Sequence, residues 1–188
     1  MVEDIISVMD DLEVSRSHYV GYSLGGYIGL GLTKYALNRL KSLTVFDYGP
    51  YQAEHLFNVK ETWAGYYNQG KEFMISALTS SMTGVTPTFY KKALMNWAEK
   101  YRKTDTTPYK AWCEIREQEE LASIFPQVDV PCLFICAENG TYKVPSKEIS
   151  GMIPDAEYIL MKGLIHLDVW GRSDLVLPYV KNFLKKKS

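Results

Sequence analysis

The sequence predicts an α/β protein, a mostly parallel sheet flanked by helices and interrupted by a helical cap. Three observations carry that expectation. Apolar runs of strand length alternate with stretches of helical period, an order that makes parallel strands joined by right-handed crossovers. A Gly-x-Ser-x-Gly stretch, Gly21-Tyr22-Ser23-Leu24-Gly25, stands between a strand pattern and a helix pattern. Between the strand ending near Asp47 and the one starting near Val130 lies an aromatic-rich segment of helical pattern, too long for a single loop in a compact domain.

The first element is an amphipathic helix from Met1 to Leu12, with Ile5, Ile6, Met9 and Leu12 at helical spacing. A short strand opened by His18 leads into the bend at Ser23. A serine on so sharp a strand-to-helix turn needs small neighbours two residues before and after it, and Gly21 and Gly25 supply them. A mostly apolar helix, Tyr27 to Leu37, follows. Gly26, Gly29 and Gly31 give it a smooth flank for close packing on a sheet.

Leu43-Thr44-Val45-Phe46-Asp47 reads as the next strand. Cap helices are then expected over about Ala53–Gln69, Lys71–Met82, Thr88–Tyr101 and Tyr109–Phe125. Gly70, Gly84-Val85-Thr86-Pro87 and Asp105-Thr106-Thr107-Pro108 separate them. Trp63, Tyr66, Tyr67, Phe73, Phe89, Tyr90, Trp97 and Trp112 concentrate here, as packing residues that can also line an apolar pocket. After the cap come a strand over Cys132–Ala137, a helix near Ser146–Met152, a strand over Glu157–Met161 and a C-terminal helix containing Val176, Val180, Phe183 and Leu184. The expected partition is core 1–50, cap 51–127 and core 128–188.

Composition narrows the function classes. The 188 residues suit one domain with a lid, and 46% hydrophobic residues suffice for an ordinary core. A net charge of −1 argues against a nucleic-acid partner, which would call for lysine and arginine clusters. Lys185-Lys186-Lys187 reads as a solvated end. The apolar runs fall short of the ~20 residues a membrane helix needs and no cleavable leader opens the chain, so the expected location is cytoplasmic. Cys113, Cys132 and Cys136 are expected as reduced core thiols. The spacing of the last two does not suit zinc, and no motif implies a metal or cofactor.

Chemistry begins at Ser23. A serine hydroxyl is a weak nucleophile and needs a base to take its proton, which imidazole does well because its pKa lies near ambient pH. His18 sits at the far end of its strand from Ser23, His55 belongs to the cap, and His166 follows a strand pattern and precedes the last helix.

Val20-Gly21-Tyr22-Ser23-Leu24-Gly25-Gly26 resembles the nucleophile elbow of the α/β-hydrolase fold family. The likeness continues in order. Leu43–Asp47 resembles its sixth strand, the helical insert its cap, Val130–Glu138 its seventh strand, and Gly163-Leu164-Ile165-His166 the loop that carries its catalytic histidine. The resemblance implies Ser23 as nucleophile, His166 as base and the Leu24 N–H as one oxyanion donor.

Two departures from the family pattern stand out. Gly140 occupies the place where the family's acid is expected, in Ala137-Glu138-Asn139-Gly140-Thr141-Tyr142. Three carboxylates are candidates to replace it: Asp47 first, at the alternative position some relatives use, then Glu138 and Asp168. The second oxyanion donor in the family comes from a loop after an earlier strand, and the chain resembles only the C-terminal part of the fold.

The elbow strand is therefore expected at a sheet edge, where unpaired backbone groups invite pairing with a second copy or with more of a longer protein. The implied function is a serine hydrolase of a small ester or related acyl compound through a Ser23 acyl-enzyme, with carbon–carbon and lactone cleavage also within the family's range. The alternative is an impaired relative that keeps the pocket for binding or assembly.

Overall fold

A computed structural model describes residues 1–49, 62–82, 88–114 and 121–186. The chain divides into two compact units, Met1–Tyr51 with Glu120–Ser188, and Gln52–Glu119.

In the first unit, α1 (Val2–Asp11) leads to β1 (Ser17–Tyr22), α2 (Leu24–Tyr35), a 3-10 turn (Leu37–Arg39) and β2 (Leu40–Phe46). After the second unit come a 3-10 turn (Ala122–Gln127), β3 (Cys132–Ala137), α7 (Lys143–Met152), β4 (Ala156–Met161), α8 (His166–Gly171) and α9 (Ser173–Lys186). The four strands form one sheet in the order β1-β2-β3-β4, and every neighbouring pair is parallel. Parallel neighbours require crossovers, and those crossovers bury both faces of the sheet. On one face Leu43, Val45, Cys132 and Phe134 pack with Leu30 and Leu32 of α2 and Ile149 of α7. On the other, Leu133, Ile135 and Ala137 meet Val169 of α8 and Val176, Val180 and Phe183 of α9. Alternation of these residues along β3 is the period-two geometry of a strand covered on both sides.

The small residues of α2 permit its close seat on the sheet. A Cβ added at Gly29 would lie 2.8 Å from both Leu43 Cδ1 and Tyr19 Cε1. At the opposite end of the strands from Ser23, Arg16 donates two hydrogen bonds to the Leu40 carbonyl, and Arg39 donates to the Ser15 and Val14 carbonyls while pairing with Asp10 at 2.7 Å. These ties fix where β1 and β2 begin.

The second unit holds a helical stretch over 62–68 (α3), α4 (Lys71–Met82), α5 (Thr88–Lys103) and α6 (Thr107–Glu114). Lys71 Nζ donates to the Arg102 and Thr104 carbonyls, and the Arg102 guanidinium grips Glu72 at 2.6 and 2.9 Å, so α4 and the end of α5 are clamped together. Trp63 meets Tyr66 edge-on, Tyr66 meets Phe73, and Trp97 stacks on Tyr101, which uses part of the aromatic content as internal packing.

The structure differs from the sequence reading at the last cap helix. Of the helix expected over Tyr109–Phe125, the part up to Glu114 is helical, residues 115–120 lie outside the described residues, and Ala122–Gln127 forms a 3-10 turn that contains Pro126. Leu121, Phe125 and Val128 are buried in the sheet's core, and the first unit takes up the chain again from Glu120. Apolar burial, not helical period, decides the place of this stretch. His55 and the first part of the helix expected over 53–69 lie outside the described residues. Among the described residues no helix is long and apolar enough to cross a membrane.

Candidate active site

Parallel strands all end on the same side, and the loops that follow them converge there. Tyr22 pairs with Phe46 and Phe46 with Ile135, so the residues just past β1 and β2, Ser23 and Asp47, leave the sheet side by side. The backbone carries the alignment one step further: Ser23 N–H donates to the Phe46 carbonyl at 3.0 Å and Asp47 N–H to the Ile135 carbonyl at 2.8 Å.

Ser23 has φ 53° and ψ −116°, a strained conformation for a residue with a side chain. Gly21 explains how the bend closes. A Cβ at Gly21 would sit 2.2 Å from the Gly25 carbonyl oxygen, so nothing larger than glycine fits. The helix α2 begins at once with Leu24, and the N–H groups of a first helical turn have no intrahelical acceptor.

His166 opens α8 and brings its imidazole between the other two side chains. Its Nε2 lies 3.1 Å from Ser23 Oγ, and its Nδ1 lies 2.6 Å from Asp47 Oδ2. A carboxylate can only accept, so the ring proton belongs on Nδ1 and Nε2 is left to accept from the serine hydroxyl. Asp47 is fully buried, and such a charge needs several partners. Oδ1 accepts from the Ala137 N–H at 2.9 Å while Oδ2 accepts from His166. Its backbone, at φ 44°, is also in the left-handed region that aspartate tolerates better than most residues.

The other two candidate carboxylates are engaged locally. Glu138 Oε2 accepts the Gly163 N–H at 2.9 Å, tying together the loops that leave β3 and β4. Asp168 Oδ2 accepts the Ile165 N–H at 3.0 Å at the start of α8. His18 is at the other end of β1, 2.8 Å from Ser42 Oγ.

Residues that sequence reasoning did not single out surround the imidazole. The Tyr22 ring stacks on it with centroids 4.8 Å apart and planes 28° apart, and the Tyr22 hydroxyl donates to the His166 carbonyl at 3.1 Å. Tyr142 stands 5.5 Å away at 43°. Tyr22 lies inside the motif, at a position the motif leaves free, and Tyr142 has no sequence signal at all. Burial, with Asp47, Tyr142 and Asp168 adding to it, pushes the Tyr22 phenol far above its usual value, so it remains a donor throughout the ordinary pH range.

Burial likewise pushes the Cys132 and Cys136 thiols up to about 12, so both are neutral core groups and poor metal ligands. The described residues contain no cluster of His, Cys, Asp and Glu suited to a metal ion.

No family model matches the chain. A Haemophilus influenzae protein named as an esterase/lipase is 26% identical over 197 residues, covering 99% of this chain and 66% of that protein. The chain thus spans just under two thirds of the length of the curated relative it matches. Among solved structures, the enol-lactonase from Burkholderia xenovorans superposes with a TM-score of 0.76 at 20% identity, over 98% of this chain and 71% of that one. An alpha/beta hydrolase enzyme from a Medee basin deep-sea metagenome library gives 0.75 at 18% identity, over 98% and 70%.

Proposed function

We propose that this chain, which shares the α/β-hydrolase fold of the solved structures it superposes on, is a serine hydrolase cleaving a small, mostly apolar ester or lactone through a Ser23 acyl-enzyme. The observation that carries the reading is the unbroken relay from Ser23 Oγ to His166 Nε2 at 3.1 Å and from His166 Nδ1 to Asp47 at 2.6 Å.

In this reading Ser23 Oγ attacks the acyl carbon while Nε2 takes its proton. Asp47 holds the imidazole in the useful tautomer and stabilises the imidazolium. The Leu24 N–H faces the charge that develops on the carbonyl oxygen. Nε2 then gives its proton to the leaving oxygen, and a water activated by the same nitrogen releases the acid and restores Ser23. The names of the relatives, an esterase/lipase and an enol-lactonase, favour an acyl–oxygen bond as the scissile one.

A second reading, an impaired relative retained for binding, has one observation in its favour. The elbow strand β1 is the outermost of the four described strands, and the Leu24 N–H is the oxyanion donor that the elbow itself supplies. Loss of one such donor costs about 10² to 10³ in rate. A fluorophosphonate probe separates the two. Labelling at Ser23 that vanishes in His166→Ala supports the hydrolase, and absence of labelling in the unaltered protein supports the binding reading.

A further inference from the structure

We propose that Tyr22 is a positioning residue for His166, holding the imidazole in place through its ring and its hydroxyl and favouring the charged form that arises during the reaction. This rests on the serine-hydrolase reading of the site.

Two separate contacts converge on one residue. The Tyr22 ring lies face to face with the imidazole at 4.8 Å, while its hydroxyl reaches past the ring to the His166 carbonyl at 3.1 Å. The first fixes the plane of the imidazole, the second the backbone from which it projects. Both follow from the bend at Ser23. Tyr22 is the last residue of β1, paired with Phe46, and the turn that presents the serine hydroxyl leaves the preceding side chain on the histidine side. One rigid element therefore sets the nucleophile and one wall of the base together.

The electrostatics act in the same direction. An aromatic face within about 6 Å attracts a cation through its quadrupole, and more strongly where water is excluded. The imidazolium is a cation only after Ser23 has given up its proton, so the ring's attraction belongs to the later stages of the attack. The charged and titratable groups around His166 are Asp47 after β2, Tyr142 before α7, Asp168 on its own helix, and Tyr22. Asp47 supplies the main attraction for the imidazolium. Tyr22 contributes a second from the ring face, and Tyr142 a weaker one from 5.5 Å at a tilt. A phenol kept neutral by burial can do this without bringing a competing charge.

The test is the pH dependence of Ser23 labelling by a fluorophosphonate in three proteins: unaltered, Tyr22→Phe and Tyr22→Leu. Tyr22→Phe keeps the ring and is expected to keep the midpoint of the acid limb, while its plateau rate falls a few-fold. Tyr22→Leu loses ring and hydroxyl. Its plateau is expected to fall about tenfold or more, and its midpoint to move to lower pH by about half a unit, because the protonated base has lost a stabilising partner. A residue needed only for folding would lower the labelled fraction without moving the midpoint. An unmoved midpoint in Tyr22→Leu overturns the assignment while leaving the hydrolase reading intact. An unaltered protein that is never labelled at any pH overturns both. If Tyr22→Leu does not fold, Tyr142→Leu carries the same test, with a smaller shift in the same direction expected and an unmoved midpoint counting against the role of the ring faces.

Discussion

Asp47 fills the space that a side chain at Gly140 would need. A Cβ built at Gly140 would stand 2.9 Å from Asp47 Oδ2, 3.1 Å from Oδ1 and 3.1 Å from the Ala137 Cβ. One carboxylate fits beside His166, and in this chain it comes from the end of β2. The glycine at the position after β3 is the other half of that arrangement, since it leaves the carboxylate room to reach Nδ1 and the Ala137 N–H together.

Asp47→Asn tests the partner of the imidazole directly. The amide keeps its acceptor toward Ala137 but presents a neutral group to Nδ1, so the proton relay loses its preferred tautomer and its counter-charge. Turnover of a simple ester such as p-nitrophenyl acetate is expected to fall by about 10³ to 10⁴, with the secondary structure retained by circular dichroism.

Gly140→Ala places a methyl group against the carboxylate and is expected to lower stability by about 1 to 3 kcal/mol, read from urea unfolding, together with activity. Transfer of the acid is the sharper experiment. Asp47→Gly combined with Gly140→Asp returns a carboxylate to the same space from the neighbouring strand end. Labelling of Ser23 is expected to recover in the double variant relative to Asp47→Gly alone, and no recovery would show that the two positions are not interchangeable.

Alkaline pH should loosen the fold through its buried thiols. Cys132 and Cys136, with an ordinary thiol value of 9.0 when unfolded, are pushed up to about 12 when folded, because burial disfavours the thiolate. The folded state therefore holds its protons longer. That stabilisation is complete below about pH 9 and declines as pH rises toward 12, by up to ~1.4 kcal/mol per pH unit for each thiol. Urea midpoints between pH 8 and pH 10.5 are expected to fall, and the fall should be shallower in the Cys132→Ala, Cys136→Ala double variant.

The outer edge of β1 is the place where this chain can pair with another strand. Val20 is 47% exposed in a six-residue strand whose other side is fully paired to β2. Pairing of two copies along this edge is the proposed consequence, and Val20→Lys should oppose it by placing a charge there. Sedimentation velocity is expected to give concentration-dependent association for the unaltered chain and less of it for Val20→Lys. A monomer at all concentrations would rule the pairing out.

Local patterns made much of this protein legible. The strand over Cys132–Ala137 was readable to the residue, because a short apolar run between breakers has few other fates, and the glycines around Ser23 signalled a bend because only small residues allow one there. Helical period located α4 and α5 for the same local reason. It held for Tyr109–Glu114 but did not foresee the 3-10 turn over Ala122–Gln127, where Phe125 is buried in the core.

Tertiary structure decided what depends on distances between strand ends. The sequence ranked Asp47 ahead of Glu138 and Asp168 only through the family resemblance, and the parallel register of β2 against β3, with the gap at Gly140, is what puts it beside His166 and leaves the others to tie loops and helix starts. Tyr22 follows the same logic. Its type is a free choice within the motif, and its place against the imidazole exists only once residues 144 positions apart in the chain have been brought together by the sheet.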